Sequence, residues 1–252
     1  MNLCVLQNFK EIYYFPFPHI YISNALPAKI YEELENTFPE DIVCSTEVLD
    51  NGICYRYKAN PALITKKIPQ IWLDFFAYHT SDIFFKKCIS LFSPVLEKHY
   101  HGLLEYIEKN KSSIRDIDNS EAFVTDCQFV VHEPITDKSS RSPHLDNPVE
   151  IYAGLLYMKQ KRDLSSGGNL LLHKVNGKVN ELNKSLGREV TNTKHKITKE
   201  IPYAANTFCM FLNLENSVHS VSVRNNAKLK RRSINIIGEF NRLGKMWEIT
   251  HL

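Results

Sequence analysis

The sequence predicts a mostly β fold: a double-stranded β-helix, or jelly roll, backed by α-helices from the N-terminal region. Three observations predict it. After Glu121 the chain breaks into short stretches of period-two alternation bounded by turn residues. These follow one another with no helical pattern between them, which argues for antiparallel strands in a sandwich or barrel. Before residue 110, by contrast, apolar residues recur at spacings of three and four, the period of a helix with one buried face.

In chain order, Tyr13 to Ser23 (YYFPFPHIYIS) is aromatic and β-branched, and its two prolines suit an edge strand. A helix is expected over Ala28 to Thr37, ending before Pro39. Asp41 to Lys58 is polar, with a turn expected at Asp50-Asn51-Gly52. From Ile68 to Lys109 two helical groups appear: Ile71, Phe75 and Phe76, then Phe84, Phe85, Ile89, Phe92, Val95 and Leu96. Thr80 or Ser81 is placed to cap the second group, and Pro94 to kink or break it. His99 and His101 read as helix-surface histidines rather than ligands. Residues 110–119 read as a charged linker. Strands are then expected over Ala122–His132, Ile151–Met158, Asn169–His173, Asn206–Leu212, Val218–Val223 and Ser233–Phe240. Residues 1–120 thus form a strand-and-helix region and 121–252 the jelly-roll core, packed as one integrated domain.

Composition narrows the function classes. A chain of 252 residues, 43% hydrophobic and 23% charged, is ordinary for a globular protein and needs no disulfides to build a core. The net charge of +3 is too small and too dispersed to suggest nucleic-acid binding. Six cysteines with no C-x-x-C pair fit reduced, buried thiols. The first residues (MNLCVLQNFKE) lack the pattern of a signal peptide, and no apolar run is long enough for a membrane span. A cytoplasmic protein without membrane or nucleic-acid partners is the expectation.

The chemistry concentrates in Ser142-Pro143-His144-Leu145-Asp146-Asn147-Pro148. His144 and Asp146 are two apart, so on an extended backbone they face the same way and can share one divalent ion. Alone, H-x-D is a commonplace of surface loops. About 75 residues on, His219 sits in another alternating stretch, where it can complete a set of two histidines and one carboxylate. The last expected strand opens Arg231-Arg232-Ser233. Alternation puts Arg231, Ser233 and Asn235 on one face and Arg232, Ile234 and Ile236 on the other. The first set suits a cavity wall and the isoleucines suit packing under helices, so Arg231, with Arg232 in reserve, is the candidate to grip an anion in a forked, bidentate way.

In order, H-L-D-N-P (144–148), L-L-Y-M (155–158), S-G-G-N-L (166–170), N-S-V-H-S-V (216–221) and R-R-S-I (231–234) resemble the Fe(II)/2-oxoglutarate-dependent oxygenase superfamily, nearest its prolyl-4-hydroxylase-like branch. The resemblance covers roughly residues 122–240. It implies that His144, Asp146 and His219 hold Fe(II), and that Arg231 and Ser233 bind the distal carboxylate of 2-oxoglutarate, with Tyr157 either assisting or serving as a core aromatic. It also implies that O2 and 2-oxoglutarate are consumed, succinate and CO2 are released, and a small-molecule or side-chain substrate is hydroxylated. Gly167 and Gly168 match the turn before the next strand. The acidic ligand Asp146 argues against halogenation, since related halogenases have a small residue there. One departure is Val131-His132-Glu133-Pro134, where that branch often has a tyrosine and a Pro-Gly turn. Gln128, on the strand leading there, faces either the cavity or away from it.

Two rival readings stay open: a cupin-like metal enzyme that would not need Arg231, and a non-catalytic jelly-roll binding protein. Between Lys174 and Lys199 seven basic residues (Lys174, Lys178, Lys184, Arg188, Lys194, Lys196, Lys199) outnumber Glu181 and Glu189, with Glu200 just beyond. This long connection is expected to form its own hairpin or a mobile lid and to favour an anionic substrate.

Overall fold

The computed structural model describes residues 2–46, 48–49, 53–117, 120–176, 179, 182–183, 189–190 and 194–241. The turn expected at Asp50-Asn51-Gly52 lies outside these residues. The first part of the chain runs β1 (His19–Ser23), α1 (Ala28–Asn36), α2 (Glu40–Cys44), β2 (Val48–Leu49), β3 (Cys54–Tyr57), α3 (Ala59–Ile64), α4 (Gln70–His79), α5 (Asp82–His99), α6 (Leu103–Lys109) and β4 (Ser112–Ile114). The second part is almost all strand: β5 (Phe123–His132), β6 (Glu150–Tyr157), β7 (Ser166–Gly167), β8 (Leu170–Val175), β9 (Leu182–Asn183), β10 (Glu189–Val190), β11 (His195–Ile201), β12 (Thr207–Leu212), β13 (His219–Val221), β14 (Arg224–Asn225) and β15 (Arg231–Phe240).

Two facing sheets make the jelly roll. The major sheet has the order β1-β12-β6-β15-β5-β3-β2, with β4 joined to β5; the minor sheet has the order β11-β8-β13. His144 extends the minor sheet by an isolated antiparallel bridge to His219 and a second to Glu189 at the start of β10. In chain order β5 and β6 lie in the major sheet, β8 and β11 in the minor, β12 in the major, β13 in the minor and β15 in the major, and every sheet pairing among them is antiparallel. That is the winding of a double-stranded β-helix.

The two faces of the major sheet have different jobs, set by period-two alternation. Phe129, Leu156, Ile234 and Ile236 point to the helices and share one core with Trp72, Phe75, Phe76, Phe84 and Phe85. The Trp72 and Phe129 rings meet edge-on at 4.7 Å. On the other face Ala153, Tyr157, Cys209 and Phe211 pack with Leu170 and Leu172 of the minor sheet. The candidate site lies on this second face, between the sheets.

Several readings of the N-terminal region need correction. The polar stretch 41–58 contains α2 and β3, and β3 adds to the edge of the major sheet beside β5. The expected linker 110–119 contains β4, which pairs with β5 in parallel. Both strands are short and polar, so nothing in their own pattern demands a sheet; the neighbouring β5 supplies the partner. Ser81, not Thr80, caps α5, its Oγ accepting from Phe84 N at 3.2 Å. Pro94 does not end that helix, which runs from Asp82 through His99. The proline leaves the Ser90 carbonyl without its usual N–H donor, and the Ser93 hydroxyl donates to it at 2.9 Å instead. His99 and His101 are exposed. Among the described residues no helix is long and apolar enough to cross a membrane.

Candidate metal and anion site

His144 and His219 are adjacent across the minor sheet, their backbones exchanging two hydrogen bonds of 3.0 and 3.1 Å. Their rings lie 4.2 Å apart between centroids. Asp146 reaches both: His144 Nε2 is 3.6 Å from Oδ1 and His219 Nε2 is 3.5 Å from Oδ2. One ligand atom from each of the three lies within 4.8 Å of the other two, and they are the one such group among the described residues. Both histidines are buried, while the Asp146 side chain is 21% exposed.

The outer ring nitrogens assign the protons. His144 Nδ1 sits 2.7 Å from the Ser142 carbonyl, and His219 Nδ1 sits 2.9 Å from the Ser217 carbonyl. A carbonyl oxygen can only accept, so each Nδ1 carries a hydrogen and each Nε2 is the atom turned toward Asp146. Burial, and then the neighbouring His219, push the His144 imidazole down to about 4, so it is neutral at physiological pH. Burial opposes ionisation of Asp146, yet the two imidazoles hold its carboxyl well below the usual carboxylate range. Two imidazole Nε2 atoms and a carboxylate thus converge, a donor set of the kind that holds a divalent cation.

These donors look into a cavity of about 120 Å³ between the sheets. At its other end stands Arg231, 4% exposed. Its Nε donates to the Gly168 carbonyl at 3.2 Å, and its guanidinium lies 5.0 Å from the Tyr157 ring centroid and 4.8 Å from that of Tyr203. Among the described residues no carboxylate lies within ion-pair distance of it. A buried cation without a counter-ion is costly, so this position calls for an anion. Among the described residues the buried Tyr157 hydroxyl has no hydrogen-bond partner. Burial pushes it up to about 12, keeping it a protonated donor. Ser233, 1% exposed, pairs in register with Tyr157 and lines the same cavity.

Local backbone conformation builds this end. Gly167 has φ +76°, and a Cβ there would fall 1.9 Å from the Val223 carbonyl oxygen, so only glycine lets β7 meet β14. The same turn delivers the Gly168 carbonyl to Arg231.

Of the residues singled out in the sequence, His144, Asp146, His219, Arg231, Ser233 and Tyr157 all border this one cavity. Arg232 points the other way, its Nε 2.6 Å from Glu40 Oε2 and its guanidinium 4.8 Å from the Phe38 ring centroid. Gln128 lies on the cavity side of β5, opposite Asn235, but is held away from the space by Arg56 (3.4 Å) and Asp126 (2.5 Å). The Lys174–Lys199 segment places β9 and β10 as a short antiparallel pair beside the metal strand, with Val190 N donating to the Pro143 carbonyl at 2.9 Å. Its described lysines do not border the cavity: Lys174 and Lys199 approach the rings of Phe15 and Tyr13, and neither Lys194 nor Lys196 lines it. Lys178, Lys184 and Arg188 lie outside the described residues.

Sequence reasoning missed Arg56, Arg141 and His132 as cavity residues, and Tyr203 as the second aromatic flank of Arg231. Asn235 was legible as the next same-face residue after Ser233. Arg56 carried no signal, because β3 reaches the cavity only by pairing with β5.

No family model matches the chain, and no curated protein matches it in sequence. Among solved structures it is similar to a Pseudomonas putida prolyl-4-hydroxylase, at 11% identity over 88% of this chain and 92% of the other, with a TM-score of 0.48. A prolyl 4-hydroxylase from Phytophthora capsici gives 13% identity over 90% of this chain and 60% of that one, with a TM-score of 0.49. HygX from Streptomyces hygroscopicus, with nickel and 2-oxoglutarate bound, gives 10% identity over 90% of this chain and 84% of the other, with a TM-score of 0.42.

Proposed function

We propose that this chain is an Fe(II)- and 2-oxoglutarate-dependent dioxygenase that hydroxylates a small-molecule or side-chain substrate. The observation that carries the reading is the pairing, in one cavity, of a two-histidine, one-carboxylate donor set with a buried Arg231 that has no carboxylate partner among the described residues. A metal site alone fits many enzymes, including a cupin-like one. A metal site facing a buried guanidinium with no carboxylate partner among the described residues asks for a ligand that chelates at one end and is anionic at the other, and 2-oxoglutarate is such a molecule.

His144 and His219, through Nε2, and Asp146, through its carboxylate, would hold the iron on one face and leave the opposite positions to small ligands. When bound, iron with 2-oxoglutarate and O2 supplies an oxidant able to take hydrogen from an unactivated C–H bond, with release of succinate and CO2. Arg231 would grip the distal carboxylate, with the Tyr157 and Ser233 hydroxyls, which line the same cavity, as further donors to it. The Nδ1 hydrogen bonds to Ser142 and Ser217 keep both imidazoles in the ligating tautomer and orientation. Ala153, Leu155, Leu170 and Ile237 line the space with apolar surface and exclude water from the reacting centre.

The test is anaerobic titration of the metal-free protein with Fe(II) and then 2-oxoglutarate, watched for the weak visible charge-transfer band of the chelate. The band is expected in wild type and absent in His144→Ala. Stoichiometric iron binding with no band would overturn the reading and favour a metal protein that does not use 2-oxoglutarate.

A further inference from the structure

A second, much smaller cavity of about 10 Å³ shares Arg231, His132 and Val221 with the main one but none of the metal-site residues. Such a volume takes one water-sized occupant. One wall is the loop that follows β5, which lies across β13 and β14: Asp137 N donates to the Arg224 carbonyl at 3.3 Å, and the Ser139 hydroxyl donates to the Val221 carbonyl. Three buried polar atoms of residues lining this cavity have no hydrogen-bond partner among the described residues: Arg224 Nη1, His132 Nδ1 and Ser140 Oγ. Arg224 is 5% exposed, and its other nitrogens are engaged. Its Nε donates to Ser165 Oγ at 2.8 Å and its Nη2 to Asp163 Oδ2 at 2.7 Å. The remaining Nη1 can only donate, and the Ser140 hydroxyl can donate as well. Burial first, then the surrounding arginine charges, push the His132 imidazole down to about 3, so it is neutral and free to carry its hydrogen on Nδ1.

Charge around the small cavity is uneven. Asp163 offsets Arg224, and Lys230 offsets Glu133 at 3.3 Å. Lys138 is exposed to solvent, and Arg231 has no carboxylate within ion-pair distance among the described residues. The two buried arginines nevertheless crowd together. Both guanidiniums face the Tyr203 ring, Arg231 at 4.8 Å and Arg224 at 5.7 Å from its centroid. A Cβ on Gly168 would lie 3.4 Å from Arg224 Cδ and 3.6 Å from Arg231 Nε. Two desolvated cations this close repel, and one carboxylate serves the pair. A water molecule can bond the three partnerless atoms but brings no charge, and a carboxylate or sulfate is too large for the volume. We infer that this cavity is a site for one small monatomic anion, chloride under cellular conditions, held by Arg224 Nη1, Ser140 Oγ and His132 Nδ1 beside Arg231. Because the anion and the distal carboxylate of 2-oxoglutarate act on the same guanidinium, each weakens binding of the other. The site stands apart from the dioxygenase reading; only this antagonism rests on it.

Crystals of the full chain soaked in sodium bromide, with diffraction recorded at the bromine absorption edge, test the site directly. A bromide peak within hydrogen-bond reach of the three atoms is expected, and it should weaken in Ser140→Ala, which removes one donor and leaves Arg224 with Asp163. Water there with no anomalous signal, or bromide only elsewhere, overturns the inference. Calorimetry of 2-oxoglutarate on the Mn(II)-loaded protein gives the second readout, since Mn(II) takes the same hard ligands without turnover. Chloride is compared with gluconate, which is too bulky for the cavity, at equal ionic strength so that general screening cancels. Chloride should raise the 2-oxoglutarate Kd roughly twofold or more in wild type, and less in Ser140→Ala. Equal affinity in the two salts would mark the bromide as an adventitious ion only, and the inference fails. Protein that binds no 2-oxoglutarate in either salt defeats the dioxygenase reading and leaves the bromide map to decide the anion site.

Discussion

Replacing Arg231 by Met separates an anion-binding arginine from a structural one. The methionine keeps much of the aliphatic stem between Tyr157 and Tyr203 but removes the charge. In the ligand complex a forked guanidinium–carboxylate contact makes two charge-assisted hydrogen bonds, each worth about 1.5–3 kcal/mol. Loss of about 3–4 kcal/mol corresponds to a 2-oxoglutarate Kd raised roughly a hundredfold to a thousandfold. The ligand-free protein should respond differently. It loses the 3.2 Å bond to Gly168 and two ring contacts, but also sheds a buried charge with no counter-ion. Those effects oppose each other, so stability in the absence of ligand should fall by no more than about 1 kcal/mol. Calorimetric titration of 2-oxoglutarate into the metal-loaded variant gives the first quantity, and urea unfolding of the metal-free protein gives the second. A folded variant that binds 2-oxoglutarate within about fivefold of wild type would refute the reasoning.

Two further predictions concern buried charge away from the site. Arg115 joins Asp126 (2.9 Å) and Glu239 (2.6 Å), both buried. Arg115→Met should cost about 3–5 kcal/mol at neutral pH. Burial raises both carboxyls, so the loss should shrink as protonation neutralises them toward pH 5; a loss that grows on acidification contradicts this. His79 is fully buried, its Nδ1 donating to the Phe75 carbonyl at 2.8 Å and its Nε2 accepting from Val5 N at 3.4 Å. Burial pushes it down to about 3, so the unfolded chain takes up a proton below about pH 6.5 that the folded chain refuses. Stability from this group is complete above that pH and falls on acidification until the folded pKa is reached. Between pH 7 and 4.5 wild type should lose about 2–3 kcal/mol more than His79→Gln, measured by urea unfolding at each pH; parallel losses would sink the assignment.

Much of the jelly roll was legible because its strands alternate or run apolar against two buried faces. β5, β6, β12 and β15 each occupy the stretch where period two appears in the sequence. The strands that escaped notice, β3, β4 and β11, are short, edge-like or polar. HKITKEI, the β11 segment, has most of its side chains exposed or half-buried and so offers no clean apolar face. Pro94 misled for a local reason: a proline normally breaks a helix, but the Ser93 hydroxyl compensates the Ser90 carbonyl it strands.

The sequence by itself determined which residues share a face. Two-residue spacing puts His144 with Asp146 and Arg231 with Ser233, and separates Arg231 from Arg232, because side chains on an extended backbone alternate whatever the rest of the chain does. Tertiary structure alone decided what those faces look at. The cross-strand bridge between His144 and His219 joins residues 75 positions apart. The Gly167–Gly168 turn brings a carbonyl to Arg231, and β3 pairs with β5 to carry Arg56 into the cavity. These are long-range pairings in which no local stretch of sequence holds both partners, so the charge field that selects a ligand exists only once the two sheets have closed on each other.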